Sequence, residues 1–196
     1  DHRCRHYGIL GEHRDGGYAE YVVVPRVNVV PKPAELDFAV AAAVGIAFLT
    51  AWHMLVARAQ VRPGEWVLVS GAGGGVGSAA VQVAKLCGAR VIATASSDAK
   101  LKHTAMPWAD HCVVHTSEDL VARVQHLTGR AGVDVVITPE LAVFGYPPKD
   151  LVLRTDLVRK NVAALERIAS RCTDITSIVG YVQPDPTAAG KGIFNA

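Results

Sequence analysis

The sequence predicts an α/β fold, a parallel sheet with helices on its faces. The clearest signal is an apolar run, Trp66–Ser70, that ends in five glycines among residues 71–77 and passes directly into an Ala/Val-rich helical pattern. Strand-like and helix-like segments then alternate as β-α-β-α-β-α-β up to Ile137, a rhythm that joins parallel strands by right-handed crossovers. Half of the 196 residues are apolar and 19% are charged, enough to bury one core or two small ones.

In chain order, residues 18–24 (Tyr-Ala-Glu-Tyr-Val-Val-Val) and 27–30 read as strands closed by Pro25 and Pro31. Asp37 is placed to cap a first helix, and a second spans about Phe48–Ala59. The stretch Phe38–Val56 is long and apolar enough to raise the question of a membrane span. Its Gly45, Thr50 and His53, and the prolines ahead of it (Pro31, Pro33), suit a buried helix pair broken at Gly45 better. Arg62-Pro63-Gly64 is a turn. After the glycines, Val76, Ala80, Val83, Ala84 and Cys87 form one helical stripe that Gly88 ends. Arg90–Thr94 is the next strand, Asp98–Met106 a short helix stopped by Pro107, and His111–Val114 a third strand. Ser117–Thr128 is a helix with Leu120, Val121, Val124 and Leu127 inward, and residues 132–137 form a fourth strand. Past Ile137 a rigid turn over residues 144–150 leads into a helix, Thr155–Arg171, with Val158, Val162, Leu165 and Ala169 on its inner stripe. A strand over Ile175–Val182 follows, and this helix and strand are placed to extend the same sheet.

The net charge of +2, with Lys and Arg scattered, argues against nucleic acid and against a membrane surface as partners. The cysteines Cys4, Cys87, Cys112 and Cys172 lie far apart without paired spacing, which fits a reducing, cytoplasmic compartment better than a disulfide scaffold. No signal peptide is visible, and Asp1 in place of Met reads as a cut or processed end. A small-molecule substrate is the expected partner; oligomeric state and substrate identity are not legible.

Strand, glycine turn and helix in this order suit a dinucleotide. Glycines let the backbone approach a pyrophosphate, and the first amides of the helix present the positive end of its dipole. An NAD site places an Asp or Glu about 20 residues further on, for the ribose 2′-hydroxyl. Here the second strand ends in Ala95-Ser96-Ser97, and Lys100 follows. Small hydroxyls with a cation suit a 2′-phosphate and favour NADP(H) over NAD(H); alternatively, Ser96 and Ser97 cap the next helix.

Residues 16–25 (Gly-Gly-Tyr-Ala-Glu-Tyr-Val-Val-Val-Pro), Phe48-Leu49-Thr50-Ala51-Trp52 and the 66–85 unit together resemble the medium-chain dehydrogenase/reductase superfamily, in its zinc-type alcohol dehydrogenase and quinone oxidoreductase branches. The resemblance covers about residues 4–137. It implies a Rossmann-like NADP(H)-binding domain over 37–137, preceded at 1–36 by a β remnant of a GroES-like catalytic domain. It places the fingerprint on Ala72, Gly74 and Gly77, with Gly75 and Val76 inside it, and sets Thr50 beside the nicotinamide. Intact relatives move hydride to or from a carbonyl, alcohol or quinone/enone. Zinc is not expected: two catalytic ligands of the zinc members fall upstream of residue 1, the third falls on Ile46, and Cys4 matches the last of four structural-lobe cysteines without its partners. The last strands of the nucleotide domain are not recognisable by this resemblance, and Pro107 stands near Trp108 where the family usually has Gly.

Residues 139–141 (Pro-Glu-Leu), 145–151 and Val179-Gly180-Tyr181 through Phe194-Asn195-Ala196 resemble instead the nitrilase-type glutamine amidotransferase domain of NAD synthetases, over about 132–196. That likeness makes Glu140 a general base, sets Tyr146 in a glutamine pocket, and puts the partner Lys and Cys beyond Ala196. The chain therefore reads as two joined fragments with a seam near Gly132–Ile137, the second fragment occupying 138–196. The resemblances imply an oxidoreductase-type NADP(H)-binding unit whose hydride transfer is impaired by truncation, with an amidotransferase fragment or a non-catalytic nucleotide-binding or inert domain as the alternatives.

Other clusters read as structural. His111 and His115 flank Cys112 at a helical metal spacing, but Val113 and Val114 argue for a strand. His2, Cys4 and His6 alternate at a terminus, and Glu12 and His13 read as solvent-facing.

Overall fold

A computed structural model describes residues 8–184 and 193–195. The chain divides into Asp1–Ala41 and Ala42–Ala196. In the first unit the expected strands are absent. Residues 18–25 are extended or bent without pairing, and Arg26–Asn28 is a 3₁₀ turn. Among the unit's described residues one isolated bridge joins Leu10 and Arg14. The apolar side chains that read as strand, Tyr18, Tyr21 and Val23, stand exposed. β propensity needs a neighbouring strand to become a sheet, and the described residues of this unit offer none.

The expected break at Gly45 does not occur. A single helix, α1 (Phe38–Trp52), continues into a π-helical turn, His53–Arg58. Asp37 does cap it, its Oδ1 accepting the Val40 N–H at 2.7 Å. A glycine inside a helix costs about 1 kcal/mol relative to Ala, too little to end one. Nor is the helix buried: over Phe38–Arg58, with mean hydropathy 1.9, an eleven-per-cent share lies inside. Ala51 and Leu55 are the residues it sinks completely.

The second unit holds the sheet. Its strands are β1 (Trp66–Ser70), β2 (Arg90–Ala95), β3 (His111–Val114), β4 (Val135–Ile137) and β5 (Thr176–Ile178). All pair in parallel, in the order β3-β2-β1-β4-β5, the arrangement of a doubly wound nucleotide fold. The connections are α2 (Gly75–Leu86), α3 (Asp98–Thr104), α4 (Leu120–Leu127) and α5 (Thr155–Ala169). Val67 and Val69 of β1 pack with Ala79, Ala80, Val83 and Ala84 of α2 in one core, where each fully buried valine is worth about 1.5–3 kcal/mol. Val76 and Cys87, expected on that stripe, are half-buried, and Val121 of α4 faces solvent.

The helix and strand beyond Ile137 join this sheet: Val135, Val136 and Ile137 pair with Thr176, Ser177 and Ile178. The expected seam near 132–137 thus falls inside one continuous sheet, with α5 as an ordinary crossover. The strand expected to run to Val182 stops at Ile178. A short antiparallel pair follows, β6 (Val182–Pro184) with β7 (Ile193–Asn195). Leu141, Val158 and Val182 make a second small core, tied by Asn161, whose buried amide donates to the Val182 carbonyl at 2.6 Å.

Candidate functional site

Strand order reverses between β1, which continues through β2 to β3, and β4, which continues to β5. Ligands in open α/β sheets bind outside the carboxyl ends of strands at such a switch point. A cavity of about 540 Å³ opens there, within the usual range for small-molecule sites. Ser70 and Gly71 reach it from β1, Ile137–Glu140 from β4, and Ile178–Gly180 from β5.

The glycine turn forms its wall for identifiable steric reasons. Gly71 takes φ +71°, and a Cβ there would lie 2.7 Å from Pro139 Cγ. A Cβ on Gly77 would lie 2.3 Å from the Gly71 carbonyl oxygen and 2.8 Å from Ala72 Cα, so only glycine lets α2 start this close to β1. Gly74 is the N-cap of α2 and makes no side-chain cap, which leaves the first-turn amides of Gly75, Val76 and Gly77 for a ligand. Gly74, Val76 and Gly77 line the cavity. Ala72 does not; it is fully buried, and its N–H donates to the Thr94 carbonyl at 3.0 Å, tying the turn to β2.

Thr50 lines the same cavity from α1, so the two motifs meet although they are far apart in sequence. Ser96, Ser97 and Lys100 lie on the other side of the turn. Lys100 Nζ donates to Ser96 Oγ at 2.9 Å, and a Cβ on Gly73 would come within 2.9 Å of Lys100 Cβ. Ser97 caps α3, its Oγ accepting the Lys100 N–H at 3.4 Å. Asp98, the first acid after β2, pairs with Lys102 at 2.9 Å. The glycine turn therefore has a hydroxyl and ammonium pair on one flank and the Thr50 cavity on the other.

Glu140 faces this cavity as well, exposed at its rim. Sequence reasoning missed several lining residues. Met54 sits one helical turn after Thr50, so spacing pointed to it, whereas Val179 and Gly180 follow a strand whose end no local signal fixed. Tyr146 is exposed and does not line the cavity. Ile46, where the resemblance puts a zinc ligand, does line it, and an alkyl side chain has no donor to give a metal.

The histidines around Cys112 are held apart: His111 stacks on Trp66 at 5.9 Å, and His115 Nδ1 meets Thr94 Oγ1 at 2.9 Å. Burial and then the Asp98 charge push the Cys112 thiol above its ordinary value, which keeps it protonated and a poor ligand. Among the described residues no group of three His, Cys, Asp or Glu is placed to hold a metal. His2, Cys4 and His6, like Ala196, lie outside the described residues.

Comparison with known proteins agrees with this geometry. Residues 75–139 match the family model described as zinc-binding dehydrogenase. The quinone oxidoreductase of Pongo abelii is 38% identical over 122 residues, which is 62% of this chain and 37% of that protein. Over this segment the chain is similar to zinc-binding dehydrogenases and quinone oxidoreductases. A crystal structure of an NAD-dependent alcohol dehydrogenase is 51% identical, covering 73% of this chain and 41% of that one, with a TM-score of 0.69. The quinone oxidoreductase of Thermus thermophilus, solved also in complex with NADPH, is 36% identical over 72% of this chain and 44% of its own, with a TM-score of 0.58. The chain thus spans less than half the length of each of these proteins.

Proposed function

We propose that this chain is the nucleotide-binding part of an oxidoreductase and takes NADP(H) along the carboxyl ends of β1, β2 and β4. The observation that carries this is the uncapped, glycine-built start of α2, which opens on a cavity at the sheet's switch point. The pyrophosphate would rest on the amides of Gly75, Val76 and Gly77. Lys100 and Ser96 would hold the 2′-phosphate, and Thr50 would stand beside the nicotinamide. When bound, the cofactor supplies the hydride; the chain grips and orients it and walls one side from water with Ile46, Met54 and Val76. The acceptor or donor is a carbonyl, alcohol or quinone/enone by family likeness. The dispersed cysteines, of which Cys87, Cys112 and Cys172 are free, suit a cytoplasmic setting.

The test is a titration of the purified chain with NADPH and NADH, followed by nicotinamide fluorescence. Saturable NADPH binding is expected, and Lys100→Ala weakens NADPH about tenfold while leaving NADH nearly unchanged, the worth of one charge-assisted hydrogen bond. No binding at millimolar NADPH would overturn the reading.

The likeness of residues 132–196 to glutamine amidotransferases gives a second reading, favoured by one observation: Glu140 stands at the rim of a cavity large enough for an amino-acid amide. It requires ammonia release from glutamine that Glu140→Gln abolishes.

A further inference from the structure

The Pro139–Leu141 backbone is clamped from two directions. The Pro139 ring packs where a Cβ of Gly71 would be. On the other side Gly180 passes so close that a Cβ there would lie 2.6 Å from Leu141 N, 2.9 Å from Pro139 O and 3.0 Å from Glu140 Cα. Thr138 fixes the approach, its N–H donating to the Ile178 carbonyl at 3.0 Å and its hydroxyl to the same oxygen at 3.2 Å. A segment held this way fixes the Cα of Glu140 and the direction in which its side chain leaves the backbone, and Glu140 is the acidic group lining a cavity otherwise walled by glycines, hydroxyls and apolar side chains.

A nicotinamide ring carries one positive charge when oxidised and none when reduced. We infer that Glu140 makes this site discriminate between the redox states of its nicotinamide, holding the oxidised form more tightly than the reduced one. The inference rests on the nucleotide reading above. The carboxylate attracts the cationic ring at the Thr50 end and is indifferent to the neutral one, so its effect is confined to one member of the pair. Because the cavity opens to solvent at Glu140, the attraction is partly screened, and a three- to fivefold preference, roughly, is the expected size.

The experiment measures dissociation constants of the intact chain and its Glu140→Gln variant for NADP⁺, NADPH and adenosine 2′,5′-bisphosphate, which has no nicotinamide. The ratio of the NADP⁺ constant to the NADPH constant should rise about three- to fivefold in the variant and less in high salt, while the bisphosphate constant stays put. An unchanged ratio, with bisphosphate still bound, overturns the role of Glu140 and leaves nucleotide binding standing. Parallel weakening of all three ligands overturns it too, since that marks a disturbed loop. Failure of the parent chain to bind any of them overturns both readings together.

Discussion

Gly77→Ala offers a sharp check on the glycine turn. The added methyl would sit 2.3 Å from the Gly71 carbonyl oxygen and 2.9 Å from its carbon. These are backbone atoms that cannot rotate away, about 1 Å short of ordinary contact. Either α2 retreats from β1 or the turn opens. Retreat loosens Ala79, Ala80, Val83 and Ala84, which are buried against the sheet, and overpacking of this kind costs about 2–3 kcal/mol. In a chain of this size that lowers Tm by about 4–12 °C. The internal control is Gly75→Ala, two residues earlier in the same helix, where the nearest atom is Ala47 Cβ at 3.8 Å. There the better helix propensity of alanine should leave Tm level or raise it, by up to about 1 kcal/mol of stability. Thermal unfolding followed by far-ultraviolet circular dichroism reads both variants. If Gly77→Ala melts within about 2 °C of the parent, the close approach of helix and strand is not what the glycine is for.

Two further outcomes follow from hydrogen bonds away from the cavity. Asn161→Leu strips the buried Val182 backbone of its partners, Nδ2 donating to the carbonyl at 2.6 Å and Oδ1 accepting the N–H at 3.5 Å. The loss should be about 2 kcal/mol in denaturant titration, and a midpoint equal to the parent's would refute it. Asp110 accepts from Lys85 Nζ at 2.8 Å and from the Val91 N–H at 2.6 Å. Burial alone would raise its pKa, but Lys85 and Val91 together outweigh it and hold the carboxyl below its ordinary value. Its contribution is therefore present above the usual carboxylate range and lost as pH falls through the lowered folded value. Asp110→Asn should remove that part of the acid sensitivity while costing less than about 1 kcal/mol at neutral pH, since the ion pair is partly exposed; a stability curve between pH 2 and 6 that matches the parent's contradicts it.

What was legible in the sequence is what short-range physics decides. β1, the glycine turn and α2 follow from apolar run, glycines and helical stripe, and β3 spans the expected His111–Val114. What was not legible depends on partners distant in the chain. Residues 18–24 have strand composition, yet no described strand lies beside them to accept their hydrogen bonds. Gly45 looked like a break because local propensity disfavours it, but the helix carries it with nothing within 4 Å. Thr50 and the glycine motif were each readable, and the resemblance set both against one cofactor, but no local pattern by itself brings residues so far apart in the chain into one cavity. Ser96 shows the opposite case: its hydroxyl finds its partner locally, in an ammonium four residues on.

The crossover into β4 sets a timetable. The Trp66 N–H is held by Asp134 Oδ2, 68 residues away, and β1 gains its second neighbour when Val135–Ile137 arrives. At about 5–20 residues per second of synthesis, β1 waits about 3–14 seconds with β2 on one edge and the other edge bare. Through that interval the central strand of the sheet is an open edge. The glycine-initiated α2, complete by Leu86, can already cover the Val67 and Val69 face, but the strand's unpaired N–H and C=O groups wait for β4.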